Sequence, residues 1–173
     1  MLRDLFTVRD AAIDDSSDIA QMAAIYAHHV RHGTASFELE PPSPAALAER
    51  FTLCCAAGLP VLVITGPENH IAGYAYLSAF HQRAAYSHTV EDSIYMDPGL
   101  TGQGLGKMLL TALIERARDA GKRQIMAVIG DSDNHASIGL HRAMGFAPIG
   151  IARDIGFKFG RFLDVVYMQR DLR

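Results

Sequence analysis

Three glycines, at positions 102, 104 and 106, stand between an apolar strand-like run and an apolar helix-like run. Glycines this close together allow a tight turn and allow backbone amides to approach a bound group. Amides at the start of a helix, with the positive end of the helix dipole, favour an anion such as a phosphate. This order of elements indicates a phosphate site, with a plain glycine-rich turn as the open alternative.

Two better-known phosphate loops do not match this stretch. A Walker loop has a glycine, four residues, Gly-Lys and then Ser or Thr. If Gly106 and Lys107 ended such a loop, its first glycine would fall on Thr101, and Met108 would offer no hydroxyl to magnesium. A dinucleotide fingerprint needs Gly-x-Gly-x-x-Gly, whereas these glycines recur at every second position. We therefore predict a phosphate site that works without a metal.

The rest of the chain alternates between strand and helix patterns. Strand patterns cover residues 5–11, 60–65, 71–80, 87–96, 123–130, 147–154 and 161–169. Helical patterns cover residues 14–30, 44 to about 58, 107–120 and a stretch within 131–146 that ends at Gly145. A chain of 173 residues suits one domain with a full core. We predict a single mixed α/β domain, residues 1–173, with a central and partly parallel sheet.

Composition excludes several classes of protein. The net charge is −3 with no basic tail, which argues against a nucleic-acid partner. No apolar run reaches membrane-spanning length, and the first residues lack the apolar core of a secretory signal. The only cysteines, Cys54 and Cys55, are adjacent, which favours helix-packing thiols over a disulfide or a zinc site. His28 and His32 share a helical face, but no third metal ligand accompanies them. We expect a cytoplasmic protein without a metal or a membrane partner.

Two motifs carry a family resemblance. DPGLTGQGLGKMLL, at 97–110, and DNHASIGLHRAMGF, at 133–146, resemble the GNAT superfamily of N-acetyltransferases. The superfamily's loop, Arg/Gln-x-x-Gly-x-Gly/Ala, maps onto Thr101, Gly104 and Gly106, and Thr101 departs from the usual Arg or Gln. The later motif maps onto Asn134, Ser137, Leu140, His141, Gly145 and Phe146. His141 stands where many members have a tyrosine that serves as general acid.

Three further stretches narrow the resemblance. TASFELEPPS, RAAYSHTVEDSIYMDP and GFKFGRFLDVVYMQRDL are similar to the phosphinothricin/methionine-sulfone acetyltransferase group, which also carries His at the position of His141. The resemblance covers nearly the whole chain. It implies the GNAT fold, in which a central mixed and partly parallel sheet is split between two strands and flanked by helices. It also implies acetyl-CoA as donor, a small amino-acid-like amine as acceptor, and a homodimer.

The chemistry of amine acetylation directs attention to Glu91. An amine attacks a thioester only when neutral, and removing a proton from an amino-acid ammonium costs about 3–4 kcal/mol near neutral pH. A positioned base lowers that barrier, and the resembling group has its base at the position of Glu91. Between buried strands the pKa of this carboxyl should be raised, while Asp92 should point to the opposite face. The alternatives for Glu91 are an exposed strand residue or a partner for Arg83.

The expected cofactor contacts follow from the resemblance and from the glycine turn. They are Ile94, Tyr95, Met96, Gly102, Gln103, Gly104, Leu105, Gly106, Lys107, Asn134 and Ser137. Amides near Tyr95 and Met96 are candidate donors to a developing oxyanion. His141 either gives a proton to the leaving thiolate or is a half-buried helix histidine. Asn134 either binds a cofactor amide, caps its helix, or does both.

The acceptor site is predicted from three loop residues. Arg83 is expected to bind an amino-acid carboxylate bidentately, with an exposed loop arginine as the alternative. Phe37 and Tyr86 are expected to wall the acceptor pocket, unless they belong to the core. Lys158 lies near either the acceptor or a dimer partner, and the residues do not decide between them.

Three functions therefore stay open. The first is acetylation of a small amino-acid-like amine, and the second is acetylation of a protein or peptide. The third is a non-catalytic acetyl-CoA-binding module, which should have lost Glu91 or the loop glycines, whereas this chain keeps both. The loops 32–42 and 81–86 suit closure over a small acceptor, which favours the first function.

Overall fold

The computed structural model describes residues 2–173, with side chains from residue 4 onward. Its strands and helices follow the predicted alternation. In chain order they are β1 (Thr7–Asp10), α1 (Ser16–His32), α2 (Pro44–Ala56), β2 (Val61–Thr65), β3 (Ile71–Ala79), β4 (Thr89–Met96), α3 (Leu105–Asp119), β5 (Gln124–Gly130), α4 (His135–Ala143), β6 (Ala147–Lys158) and β7 (Arg161–Asp171). No helix within residues 2–173 is long and apolar enough to cross a bilayer.

The strands form one mixed sheet in the order β1-β2-β3-β4-β5-β7-β6. The pair β4–β5 is parallel, and the other described pairs are antiparallel. The parallel pairing runs only from Thr89 opposite Gln124 to Asp92 opposite Ala127. Beyond that point the two strands part. The predicted split in a mixed, partly parallel sheet is therefore confirmed.

Each face of the sheet carries two helices. Tyr26 of α1 packs edge-on against Tyr95, and Phe51 of α2 packs against Tyr74. Tyr95 and Tyr74 are opposite one another on β4 and β3, so α1 and α2 share their face. The opposite face of β4 includes Asp92, which contacts α4. The buried leucines of α3, Leu105, Leu109, Leu110 and Leu113, cover the sheet on that side.

Local sequence signals set most element boundaries. The side chain of Asp15 caps α1 by accepting the Ser17 amide, and Ser43 caps α2 ahead of Pro44, as predicted. Helix α3 starts at Leu105 rather than at Lys107, because Gly104 takes a left-handed conformation (φ 81°) and serves as its N-cap. Strand β6 also continues to Lys158, four residues beyond the predicted end, because the chain reverses only at 159–160.

The two cysteines are free thiols on α2, one buried and one exposed. Cys54 joins the core between the helices and the sheet, whereas Cys55 faces outward. This matches the predicted helix-packing role for Cys54 only. Adjacent helical residues point about 100° apart, so a pair of neighbours cannot both face the core.

Candidate active site

A cleft of about 640 Å³ lies where β4 and β5 part. Its walls come from the end of β4, the glycine turn with the start of α3, the end of β5, and α4. Among the predicted site residues, those that line it are Ile94, Tyr95, Met96, Gly102, Gly104, Leu105, Gly106, Lys107, Asn134, Ser137 and His141. The split in the sheet therefore gathers most of the predicted cofactor contacts around one cavity.

The glycine turn presents backbone donors to this cleft. Gly102 and Gly104 both have positive φ angles, 75° and 81°, which favour glycine. The first amides of α3 have no intrahelical partner, as in any helix, and they lie at the positive end of its dipole. The amide of Lys107 already donates to the carbonyl oxygen of Gly104 at 3.2 Å. Among the predicted donors, the amides of Gly102, Gly104, Leu105 and Gly106 therefore stay available at the cleft.

Strand β4 offers a second set of backbone groups. The amide of Asp97 donates to the carbonyl oxygen of Ala72 on β3 at 2.8 Å. Backbone groups alternate in direction along an antiparallel ladder, so the amide of Tyr95 also faces β3. The amides of Ile94 and Met96 face away from β3, toward the parted edge. The candidate oxyanion donors are therefore the amides of Ile94 and Met96. The amide of Tyr95, which the sequence analysis favoured, faces β3 instead.

His141 and Asp92 form a buried pair in the cleft wall. Nε2 of His141 donates to Oδ2 of Asp92 at 2.9 Å, and Nδ1 donates to the carbonyl oxygen of Ser137 at 2.8 Å. His141 is 2% exposed and Asp92 is 6% exposed. Burial opposes charging of the imidazole, but the hydrogen bond and charge of Asp92 outweigh it and raise the pKa of His141.

Asp92 is the main site residue that sequence reasoning missed. Strand alternation correctly predicted that Asp92 lies on the opposite face of β4 from Glu91. It did not predict which residue contacts Asp92 on that face. The partner is a helix residue 49 positions later in the chain. The other carboxylate oxygen, Oδ1, is buried without a hydrogen-bond partner among the described residues. Only the packing of α4 against β4 reveals this pair.

Asn134 serves as the N-cap of α4. Its Oδ1 accepts the amide of Ser137 at 3.1 Å, and its Nδ2 donates to the carbonyl oxygen of Gly130 at 3.0 Å. The capping alternative is therefore what the structure shows. Both polar atoms of this side chain already have partners, and it holds α4 to the end of β5. A cofactor contact through this amide stays a prediction.

Glu91 lies on the opposite face of β4 from the His141–Asp92 pair. It stands across from Ser78 of β3 and next to the last paired residue before the split. The side chain is half-buried, and burial, followed by the nearby charge of Asp92, raises the pKa of its carboxyl. Glu91 is not among the residues that line the cleft, and no ion pair joins it to Arg83 in the part described.

His29 of α1 is a second cleft residue that the sequence did not single out. Its Nε2 donates to the carbonyl oxygen of Met96 at 2.7 Å, so it connects α1 to the free edge of β4. Burial lowers the pKa of His29, which keeps its imidazole neutral at pH 7. Its neighbours His28 and His32 are exposed. Residues 2–173 contain no group of three or more side chains that could hold a metal.

Lys158 holds the loop between α1 and α2. Its Nζ donates to the carbonyl oxygens of Gly33, at 3.0 Å, and Ser36, at 2.7 Å. The residue is 3% exposed, and burial lowers the pKa of its amine. The side chain thus faces its own chain's loop, which differs from the expectation of an acceptor or a dimer partner. Its positive charge stabilises the two carbonyl groups, of which that of Ser36 is buried and that of Gly33 partly buried.

Phe37, in the same loop, sits against two glycines. A Cβ atom built on Gly130 at the end of β5, or on Gly156 of β6, would collide with the Phe37 ring. The ring is 36% exposed, so one side of it stays available. Because Gly130 and Gly156 have no side chains, the Phe37 ring can pack at the junction of β5 and the β6–β7 hairpin.

The predicted acceptor residues on the loop 81–86 lie apart from the cleft. Arg83 is exposed, and its amide donates to Nδ1 of His81 at 3.2 Å. The Tyr86 ring is exposed and packs against the rings of Phe80 and His81. The structure does not bring these two residues together with Phe37 in one pocket. Their roles in acceptor binding stay predictions.

Comparison with known proteins agrees with the fold and the site described above. Residues 24–146 match the model of the acetyltransferase (GNAT) family. The chain is 48% identical over 155 residues to a phosphinothricin N-acetyltransferase from Alcaligenes faecalis, covering 90% of this chain and 78% of that protein. It is 38% identical over 166 residues to an L-methionine sulfoximine/L-methionine sulfone acetyltransferase from Pseudomonas aeruginosa, covering 96% and 94%.

A solved structure shows the same fold. A phosphinothricin acetyltransferase from Sinorhizobium meliloti, crystallised in complex with acetyl-CoA, superposes with a TM-score of 0.91. The two are 42% identical, over 96% of this chain and 88% of that one. The resemblance drawn from the sequence motifs is therefore confirmed.

Proposed function

The chain belongs to the acetyltransferase (GNAT) family, and from that premise we propose its reaction and its acceptor. The enzyme moves the acetyl group of acetyl-CoA to the α-amine of a small amino-acid-like molecule of the phosphinothricin, methionine sulfone or methionine sulfoximine type. The observation that carries the proposal is Glu91, a half-buried carboxyl on β4, one residue before the last pair that joins β4 to β5. The named relatives supply the acceptor class.

The residues of the cleft fit acetyl-CoA as co-substrate. The amides of Gly102, Gly104, Leu105 and Gly106 suit the pyrophosphate, because they line the cleft at a helix N-terminus. The amides of Ile94 and Met96 suit the pantetheine arm, which adds to the free edge of β4 like another strand. The unpartnered Oδ1 of Asp92 marks a place where a ligand can satisfy a buried acceptor.

Glu91 supports this reaction as the general base. Its raised pKa brings the carboxylate closer to the basicity needed to take a proton from an ammonium, directly or through one water. Whichever of the Ile94 and Met96 amides the pantetheine arm leaves free can stabilise the negative charge that develops on the acetyl oxygen. The base and the His141–Asp92 pair lie on opposite faces of β4, so acceptor and thiol can occupy different sides of the split.

An acceptor screen tests the proposal. Thiol release is measured with phosphinothricin, methionine sulfone and methionine sulfoximine, and separately with N-terminal and lysine-bearing peptides. We expect rapid release with at least one of the three small acceptors. Release only with peptides would instead support protein acetylation. Tight acetyl-CoA binding without release from any amine would support a binding module and overturn the proposed function.

The enzyme acts as a homodimer, built on the exposed face of the β6–β7 hairpin. Large apolar side chains between 45% and 62% exposed stand on this hairpin, namely Ile149, Ile151, Ile155, Phe157, Phe159 and Phe162. β6 is also the edge strand of the sheet. An exposed apolar edge strand favours burial against another chain, and a second copy of this chain is the proposed partner. Light scattering should give twice the monomer mass, and F162D should shift it toward the monomer; a monomeric wild type would overturn the dimer.

The reaction belongs in the cytoplasm. Cys54 and Cys55 are both free thiols, the state that a reducing compartment maintains. Cell fractionation should place the protein with cytoplasmic markers. Recovery in an extracellular or periplasmic fraction would contradict this placement.

A further inference from the structure

A gap separates Glu91 from the place where the acetyl group is transferred. The parted edge of β4 runs from Asp92, the last residue paired with β5, to Met96 at the end of the strand. The glycine turn follows Met96, so a bound pyrophosphate lies at that end and the thioester lies toward the split. An acetyl oxygen at the amide of Ile94 is therefore about 10 Å along the strand from Glu91. Strand side chains stand roughly perpendicular to the sheet, so the carboxyl of Glu91 leaves part of this gap open.

Ser93 lies in this gap. It follows Glu91 by two residues, so both side chains are on the face of β4 that α1 covers, about 7 Å apart. Ser93 lines the cleft, which Glu91 does not, and it directly precedes Ile94. An amine that attacks an acetyl group held at Ile94 from this face arrives beside the Ser93 hydroxyl. The hydroxyl therefore stands between the amine and the carboxylate.

The other polar side chains on this side of the cleft are already engaged. Among the residues that the structure describes, they are His29 and Tyr95. His29 commits its Nε2 proton to the carbonyl oxygen of Met96, at the far end of the parted edge. The ring of Tyr95 packs edge-on against Tyr26, and burial raises the pKa of its hydroxyl well above the ordinary value. This leaves Ser93 as the best-placed group to receive a proton from the acceptor.

Tyr76 of β3 holds the Ser93 hydroxyl in place. The two residues are directly opposite one another in the ladder between β3 and β4. A hydrogen bond joins their hydroxyls, and burial raises the pKa of Tyr76, so the phenol keeps its proton. A serine hydroxyl has one proton to donate and two lone pairs that accept. With Tyr76 donating to one lone pair, the other can accept from the amine, and the serine proton is left for the Glu91 side.

We propose that Ser93 is a catalytic residue that passes the ammonium proton of the acceptor to Glu91. This inference rests on the proposed acetyl transfer. An N–H bond of the ammonium breaks, the nitrogen keeps the electron pair, and the proton bonds to Oγ of Ser93. The original proton of Oγ moves through one water to the carboxylate of Glu91, which later returns it to solvent. The amine loses a second proton after its attack, which balances the proton that the departing sulfur takes up.

Three serine variants test the relay. S93A removes the hydroxyl, so kcat with an ammonium acceptor should fall about 30-fold, while Kd for acetyl-CoA changes less than about twofold. S93T keeps a hydroxyl and should stay within about threefold of wild type. S78A is the matched control, because Ser78 is directly opposite Glu91 on the same face but does not line the cleft. An equal loss in S78A, or no recovery in S93T, would overturn the relay.

Hydroxylamine as acceptor separates a proton relay from a structural role. Its nitrogen is largely neutral at pH 7, so it can attack the thioester without first giving up a proton. The loss in S93A, measured as thiol release, should therefore shrink to less than about threefold with hydroxylamine. A loss of the same size with hydroxylamine and with the ammonium acceptor would show that Ser93 only supports the structure, and would overturn the proposal.

A measurement without turnover distinguishes this inference from the proposed function. In carboxyl-labelled protein, the NMR signal that is absent from E91Q belongs to Glu91. This signal should shift in S93A, because the variant removes the far end of the bridge to the carboxylate. An unmoved Glu91 signal would overturn the relay even if no acceptor were acetylated. A shifted signal without acetylation of any amine would instead contradict the proposed function.

Discussion

The two halves of the site are built in different ways. On the cofactor side, β4, the glycine turn and the start of α3 follow one another within residues 89–107, and backbone amides supply the predicted contacts. On the side proposed for the acceptor, the loop after α1 is held by Lys158, which lies more than 120 residues away from Gly33 and Ser36. The backbone donors of the proposed cofactor half are local in sequence, whereas the proposed acceptor half depends on the closure of the whole fold.

This difference has a physical origin. Backbone amides are present whatever the side chains, so a turn of glycines and a helix start are enough to aim them at an anion. A loop that must choose one acceptor needs side chains from elsewhere to fix its conformation against its entropy. Substitutions on the cofactor side should therefore act on acetyl-CoA binding, and substitutions on the acceptor side should act on the acceptor alone.

The largest effect is expected at the boundary between the halves. E91Q removes the base, so kcat should fall about 100-fold or more, with acetyl-CoA affinity unchanged. Burial raises the pKa of Glu91, and the active form is the carboxylate, so wild-type activity should fall as pH drops through a value above about 4.3, the ordinary glutamate value. Steady-state kinetics over pH, with exposed E115Q as control, checks both points. Near-wild-type kcat in E91Q would remove Glu91 from the mechanism.

The next effect is confined to the cofactor half. Gly104 has φ 81°, so G104V strains the turn and misdirects the amides of residues 102–106. The affinity for CoA should fall roughly 50-fold, about 2.3 kcal/mol, while acceptor selectivity stays the same. G121V is a matched control, because Gly121 has a similar φ of 69° at the far end of α3. Calorimetry giving unchanged CoA affinity in folded G104V would refute the phosphate cradle, as would a strict magnesium requirement.

A smaller effect is expected for Arg83 on the acceptor half. If the loop 81–86 closes and Arg83 grips the acceptor carboxylate, R83A should lower kcat/KM about 30-fold for the amino acid. It should leave acetyl-CoA affinity alone and narrow the gap between the amino acid and its decarboxylated amine. Both enzymes are measured with both acceptors at saturating acetyl-CoA. An undiminished gap in R83A would show that the carboxylate is held elsewhere.

The smallest effect concerns the loop that Lys158 fixes. K158M keeps the aliphatic stem but leaves the carbonyls of Gly33 and Ser36 without a donor, so the loop with Phe37 should loosen. The KM for the acceptor should rise about fivefold, with Kd for acetyl-CoA unchanged, if the loss is near 1 kcal/mol. R116M is the control, since Arg116 pairs with the exposed Asp10 and holds neither loop. A change in acetyl-CoA affinity instead would contradict the separation of the two halves.

The local half of the site could be predicted from sequence because its signals are local. Glycine density and the helix start identified the turn, and strand alternation gave the opposed faces of Glu91 and Asp92. The stretch Ile94–Met96 came from the family resemblance. The start of α3 was misplaced by two residues, because a left-handed glycine can act as a cap without a side-chain signal. The direction of the Tyr95 amide could not be predicted, because it depends on the register of β4 with β3. The sequence of one strand does not determine that register.

The remaining features depend on contacts between distant segments. The partner of Asp92 comes from α4, and the contact of His29 comes from β4. The sequence left Lys158 near either the acceptor or a dimer partner, yet it is buried because the hairpin folds back over the loop after α1. A buried lysine with two carbonyl partners leaves no periodic pattern in sequence, so only the assembled fold could identify it.

The parting of β4 and β5 leaves two unpaired strand edges facing each other inside the protein. Unpaired edges are sites where other chains can add as strands, and they are points where a sheet opens first. A ligand that pairs with the edge of β4 at Ile94 and Met96 closes it from within. Because such a ligand binds only the folded chain, a concentration of one hundred times Kd adds about 2.7 kcal/mol to the free energy of unfolding. If acetyl-CoA is that ligand, as proposed, its concentration sets the free energy of unfolding of the enzyme as well as its rate.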